Sequence, residues 1–182
     1  MKIILLRSFI FLSFLSGTYK CAFSQAKVAV SAMSASKNIA DNVTTSRSHS
    51  TLNAALKTTE LNNTLKSQGP YTVFAPTNMA FKKLPKGTID MLLKPQNKEA
   101  LSNILKYHII SSKILSSTLI ASIKQGGGTY KTKTLQGAQL TFSMQGKDVL
   151  VADEKGGIGK VTIKDISQSN GVIHVVDTVL MP

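Results

Sequence analysis

Cysteine occurs once in the 182 residues, at Cys21; tryptophan is absent, and arginine stands only at Arg7 and Arg47. One thiol cannot make an intramolecular disulfide or a cysteine metal cage, so a folded domain must be held by its core. The shortage of arginine governs the reading of the charge. With 22 Lys+Arg against 9 Asp+Glu the chain carries +13, which by itself suggests nucleic acid. Base-edge readout and bidentate phosphate clamps favour the fixed fork of arginine, and stacking on single strands needs aromatic side chains, here only 6% of the residues. No specific nucleic-acid binding is expected. A diffuse lysine surface suits weak attraction to anionic polymers or membrane surfaces instead.

Groups for catalysis are equally scarce. The three histidines, His49, His108 and His174, include no pair at the helical i, i+4 spacing of a zinc site. No serine sits in a Gly-x-Ser-x-Gly elbow, which leaves no seed for a hydrolase triad of that type. Gly156-Gly157-Ile158-Gly159-Lys160 imitates a phosphate loop, but Glu154 replaces the first required glycine and Val161 the metal-binding hydroxyl. It reads as a hairpin turn. Asp148, Asp153 and Glu154 near that turn form at best a weak calcium site, and adjacent acids on a solvated loop ordinarily stay empty. A non-catalytic chain with no metal and no cofactor is expected.

Residues 1–26 read as a secretory signal peptide. Lys2 and Arg7 flank the start of an apolar stretch from Ile3 to Leu15 that is too short and interrupted to span a bilayer. Small residues permit cleavage after Ser24 or after Ala26, and either cut discards Cys21. Thr18-Tyr19-Lys20 ahead of that cysteine is wrong for lipid attachment. The chain left behind stays basic and is expected to be secreted, periplasmic or on the cell surface, with no membrane span. Residues 27–47, rich in Ala, Ser, Thr and Asn, read as a flexible spacer. Asn42-Val43-Thr44 and Asn62-Asn63-Thr64 match the glycosylation pattern, which is frequent by chance.

From Ser48 the periodicity becomes helical. Leu52, Ala55 and Leu56 share a face that Leu61 and Leu65 continue beyond a bend at Thr58-Thr59. Tyr71 to Ala75 reads as a strand, followed by short helical pieces at 79–84 and 88–94 and a helix capped by Asn97, with Leu101, Ile104, Leu105 and His108 on one side. A helical turn or two over 116–123 ends at Gly126-Gly127-Gly128. Strands follow at Leu140 to Met144, Val149 to Val151 and Val161 to Ile163. The last run, Val172 to Met181, is apolar on both faces, as an interior strand requires. Helices first and mainly antiparallel strands later make an α+β fold.

Three segments then carry a resemblance. Tyr71-Thr72-Val73-Phe74-Ala75-Pro76-Thr77-Asn78-Met79-Ala80-Phe81 resembles the first signature box of the fasciclin domain. Asn170-Gly171-Val172-Ile173-His174-Val175-Val176-Asp177-Thr178-Val179-Leu180-Met181-Pro182 resembles the second, and Tyr107-His108 the Tyr-His motif between them. One copy would cover 48–182. The resemblance implies a β-wedge flanked by a cluster of helices, and an extracytoplasmic role in adhesion or in binding a surface protein, matrix component or anionic polysaccharide. A structural envelope or matrix component without a discrete ligand is the alternative. Read as residues, the boxes look architectural: Phe74, Pro76, His174 and Asp177 in or beside buried strands, Thr77-Asn78 as a helix cap, Asn170-Gly171 as a turn with positive φ. Candidate contacts are Tyr107 and His108, which the family's motif suggests, and Lys82, Lys83 and Lys86 on a helical half with few acids.

Overall fold

A computed structural model describes residues 33–182. The expected signal peptide and its cleavage points lie outside them. Helices α1 (Ile39–Thr45), α2 (Ser50–Thr58) and α3 (Leu61–Lys66) lead into strand β1 (Tyr71–Pro76). Helices α4 (Asn78–Lys82), α5 (Thr88–Leu92) and α6 (Lys98–Tyr107), the short strand β2 (Ile109–Ile110) and helix α7 (Ser116–Gln125) come next. Strands β3 (Thr129–Lys133), β4 (Gln139–Gln145), β5 (Asp148–Ala152), β6 (Ile158–Gln168) and β7 (Gly171–Val176) complete the chain.

The strands form one seven-stranded sheet in the order β2-β1-β7-β6-β5-β4-β3. Only the β1–β7 pair is parallel, from Tyr71 opposite Gly171 to Pro76 opposite Val176. This is the α+β arrangement read from the sequence. Strand β7 lies inside the sheet with every residue buried, because its side chains are apolar in both directions and each face needs a cover. Ile173 and Val175 turn toward one core, shared with Val73, Ala75 and the helices α1 to α4 and α6. Val176 turns toward the other, with Phe74, Phe142, Val149, Val151, Leu119 and Ile123. Removing one such side chain from water contributes about 1.5–3 kcal/mol.

Local chemistry sets the breaks. The Thr58 and Thr59 hydroxyls donate back to the Ala54 and Ala55 carbonyls at 3.0 and 2.9 Å, and Glu60, at φ 62, turns the chain from α2 into α3. Beyond α7, Gly128 takes φ 105 so that its amide can return to the Ile123 carbonyl at 2.9 Å. Strand β6 pairs with β5 at its start and with β7 along its length, and its register shifts twice between Val161 and Ile166. Asp165, at φ 60, sits within the second shift.

Three expectations need correction. The spacer assigned to 27–47 is structured from Ile39: α1 buries Ile39, Ala40, Asn42 and Val43, and Asn38 caps it by accepting the Asp41 amide at 2.8 Å. Asn42 is wholly buried, its amide donating to Ser34 O at 2.7 Å and to Gln168 Oε1, so the folded chain offers no access for a glycan there. Asn97 does not cap α6; its side chain donates instead to the Met91 carbonyl at 2.7 Å. Gly171 is not at positive φ. It is glycine because a Cβ would collide with the Tyr71 carbonyl of the neighbouring parallel strand.

Candidate functional site

The two boxes meet as neighbours, since β1 and β7 are hydrogen-bonded partners. Phe74 of the first lies over His174 of the second, ring centres 5.4 Å apart, and against Phe142 at 5.2 Å. All three rings are fully buried. Pro76 ends β1, after which Thr77 accepts the Ala80 amide at 3.2 Å and starts α4. Asn78 reaches away from its own helix: its oxygen accepts the Thr51 amide at 3.0 Å and its nitrogen donates to Arg47 O and Ser50 Oγ, both at 2.9 Å. One amide therefore satisfies the otherwise uncapped start of α2.

Asn170 does the same for another junction. Its oxygen accepts the Ile39 amide at 3.0 Å, and its nitrogen donates to Leu65 O at 2.7 Å and Ser67 O at 2.9 Å. Thus the residue before β7 clamps the start of α1 to the end of α3. Asp177, after β7, accepts from the Lys160 amide at 2.8 Å, from Thr178 at 3.0 Å and from Lys83 Nζ at 3.1 Å. Burial works to raise its carboxyl, but these donors outweigh it and the pKa lies below the ordinary value.

The two histidines of the motifs, His174 and His108, are committed to the backbone. His174 takes the Asp165 amide on Nδ1 at 3.2 Å and donates from Nε2 to Ile114 O at 2.9 Å. Burial lowers its pKa. His108 donates from Nδ1 to Ile104 O at 2.8 Å and takes the Leu180 amide on Nε2 at 3.0 Å, and burial brings its pKa from 6.5 to about 4. His49 is likewise lowered to about 4 by burial; its Nδ1 meets Ser46 Oγ at 2.8 Å and its Nε2 finds no partner.

Tyr107 and His108 are 0% and 1% exposed, which corrects their assignment as contact residues. The Tyr107 hydroxyl donates to Gln139 O at 2.7 Å and accepts the Glu154 amide at 3.1 Å, and desolvation raises its pKa. The pair ties α6 to β4 and to the β5–β6 turn, and presents nothing to solvent. Carboxylates near that turn are also engaged. Asp153 accepts the Lys155, Gly157 and Met181 amides, Glu154 accepts the Gln139 amide, and Asp148 pairs with Lys160 at 2.5 Å.

What faces outward is lysine. Lys82, Lys83 and Lys86 are exposed. Lys83 is held by Asp177, while Lys82 and Lys86 enter none of the ion pairs among the described residues. Met79 and Met91, on α4 and α5, are 66% and 52% exposed. Asp165, missed in the sequence, accepts both the amide and the hydroxyl of Ser116 and so starts α7. An aspartate within a polar β-strand pattern carries no signal of that role. Among the described residues no helix is long and apolar enough to cross a membrane.

A seven-stranded sheet around paired boxes, with α1 to α4 and α6 over one face and α7 against the other, defines a domain class, and comparison with known proteins agrees. The fasciclin domain model matches residues 47–182, and the chain belongs to that family. It is 43% identical over 135 residues to Protein sll1483 of Synechocystis, covering 73% of this chain and 67% of that one. It is 40% identical over 133 residues to transforming growth factor-beta-induced protein ig-h3 of Sus scrofa, of which it spans only 17%. Immunogenic protein MPB70 of Mycobacterium bovis is 38% identical over 120 residues, 66% of this chain and 53% of that protein. The fold is shared with a solved FAS1 domain pair from the insect cell adhesion molecule fasciclin I, at TM-score 0.70 and 17% identity, covering 80% of this chain and 51% of the pair.

Proposed function

We propose that this chain is an exported, non-catalytic binding module that attaches to an anionic extracellular polysaccharide or matrix, with residues 1–26 as its export signal. The observation that carries this reading is the distribution of charge. Among the described residues every acid except Asp90 and Glu99 is already held by an amide, a hydroxyl or a lysine, whereas Lys82, Lys86 and Lys94 stand exposed outside the ion pairs. Unpaired ammonium groups attract polyanions over distances set by salt rather than by fit. The family supports the setting, since a protein sharing this fold is described as a cell adhesion molecule. Inward-facing, backbone-bonded histidines leave no free acid–base pair at the boxes, which favours binding over turnover. The test is co-sedimentation of the purified chain with an insoluble carboxylated polysaccharide. Wild type is expected in the pellet and Lys82→Glu/Lys86→Glu largely in the supernatant; equal sedimentation of both would overturn the lysine reading.

A further inference from the structure

Where the parallel strands β1 and β7 begin, the chain leaves an open cleft of about 560 Å³. That volume falls in the range of roughly 300–1,000 Å³ typical of small-ligand sites. Four separate stretches converge on it, and its lining includes Lys66, Gln68, Pro70, Lys113, Ser169 and Asn170. The two lysines come from separate parts of the fold, Lys66 from the end of α3 and Lys113 from the loop between β2 and α7. Neither enters an ion pair among the described residues, and no Asp or Glu lines the cleft. Asn170 has its side chain spent on Ile39, Leu65 and Ser67, so it supplies a fixed wall. Lys66, Gln68, Pro70, Lys113 and Ser169 are exposed.

We propose that this cleft is a binding subsite for an acidic sugar residue, a uronate within a polysaccharide chain. Two ammonium groups match a carboxylate and leave a second charge for the neighbouring residue of the polymer. Gln68 and Ser169 add neutral donors and acceptors suited to hydroxyls, and the Pro70 ring gives a small apolar surface for the C–H face of a sugar. A lone inorganic anion would use the lysines and leave the rest of the cleft unfilled. A peptide would want closed pockets for side chains, and this cleft is open, with polar and apolar surface side by side. Nor is the floor adaptable: Asn170 locks α1 and α3 beneath it, so the site is formed before any ligand arrives, which limits the ordering cost of binding.

The inference rests on the reading of the chain as a module for anionic polysaccharide, and its test separates the two. Amide chemical shifts of the full purified chain are followed while digalacturonate is added, with neutral cellobiose, inorganic sulfate and a short polyglutamate peptide as comparison probes. Digalacturonate should give saturable shifts at residues 66–69, 113 and 169–171, at least tenfold tighter than cellobiose or sulfate. Lys66→Ala/Lys113→Ala should weaken it by tenfold or more with unchanged melting, since both side chains are exposed. Lys82→Glu/Lys86→Glu should leave the disaccharide affinity unaltered. Absence of shifts at these residues, or equal binding of sulfate or polyglutamate there, overturns the subsite. Retention on whole polysaccharide would in that case persist through Lys82 and Lys86, so the two readings fail separately.

Discussion

The amide of Leu180 donates to Nε2 of His108 across 3.0 Å, while Nδ1 of the same ring donates to Ile104 O at 2.8 Å. One neutral tautomer thus joins the end of the second box to the end of α6, and a proton on Nε2 would take away the acceptor that the Leu180 amide uses.

This gives the domain a pH dependence of stability with a defined sign. Burial lowers His49 and His108 from 6.5 to about 4, and lowers His174 as well. Between pH 6.5 and 4 the unfolded chain binds protons at these rings and the folded chain does not. Stability therefore falls as pH drops through that window, on the order of one kcal/mol per pH unit for each histidine involved. Urea midpoints should decline steadily from pH 7 to 4.5. A midpoint constant over that range would mean that the rings titrate alike folded and unfolded.

Val175 is 1% exposed in a strand covered on both faces. Val175→Asp buries a carboxylate among Val73, Ile173 and other apolar side chains of that core. A cost of roughly 3–5 kcal/mol follows, a large part of an ordinary domain's stability. Thermal melting within a few degrees of wild type would remove β7 from the middle of the core.

Asn170→Ala deletes three hydrogen bonds and strands the Ile39 amide and the Leu65 carbonyl, costing about 2–4 kcal/mol. Gly171→Ala should be at least as damaging, because the obstacle to its Cβ is the Tyr71 backbone rather than a movable side chain. Denaturant titration of both variants checks this. Wild-type stability in Gly171→Ala would show that β1 and β7 do not approach so closely.

Tyr107→Phe separates a buried role from a contact role. It removes the donor to Gln139 O and the acceptor for the Glu154 amide, and should lower stability by about 1–2 kcal/mol. Polysaccharide retention measured at a temperature where both proteins are folded should be unchanged. Lost retention in a fully folded variant would return Tyr107 to the contact surface.

Much of the fold was legible because its signals are strong where burial is two-sided. Val172 to Val176 has no polar face to confuse its strand, and Leu52, Ala55, Leu56, Leu61 and Leu65 repeat at helical spacing. The start of the domain was not legible. Helix α1 is seven residues whose buried set includes Asn42, and a polar side chain in the core looks like spacer until Gln168, far along the chain, appears as its partner. Strand β3, Thr129–Lys133, alternates only between exposed and half-buried positions at a sheet edge, so it lacks the apolar alternation that marks a strand. Asn78 and Asn170 read as local caps and turns, while their partners lie 27 to 131 residues away. The cleft was invisible for the same reason: Lys66, Lys113 and Ser169 share no spacing and meet only through the sheet.

Binding through the exposed lysines is tested most directly by retention on a carboxylated polysaccharide column over a salt series, comparing wild type with Lys82→Glu/Lys86→Glu. Exposed lysines contribute little to stability, so the variant should fold and melt as wild type does. Wild type is expected to be held at low salt and released well before 1 M, where the screening length shrinks to about 3 Å, and the variant to elute at clearly lower salt. Wild type passing unretained at the lowest salt, or both proteins eluting together, would contradict it.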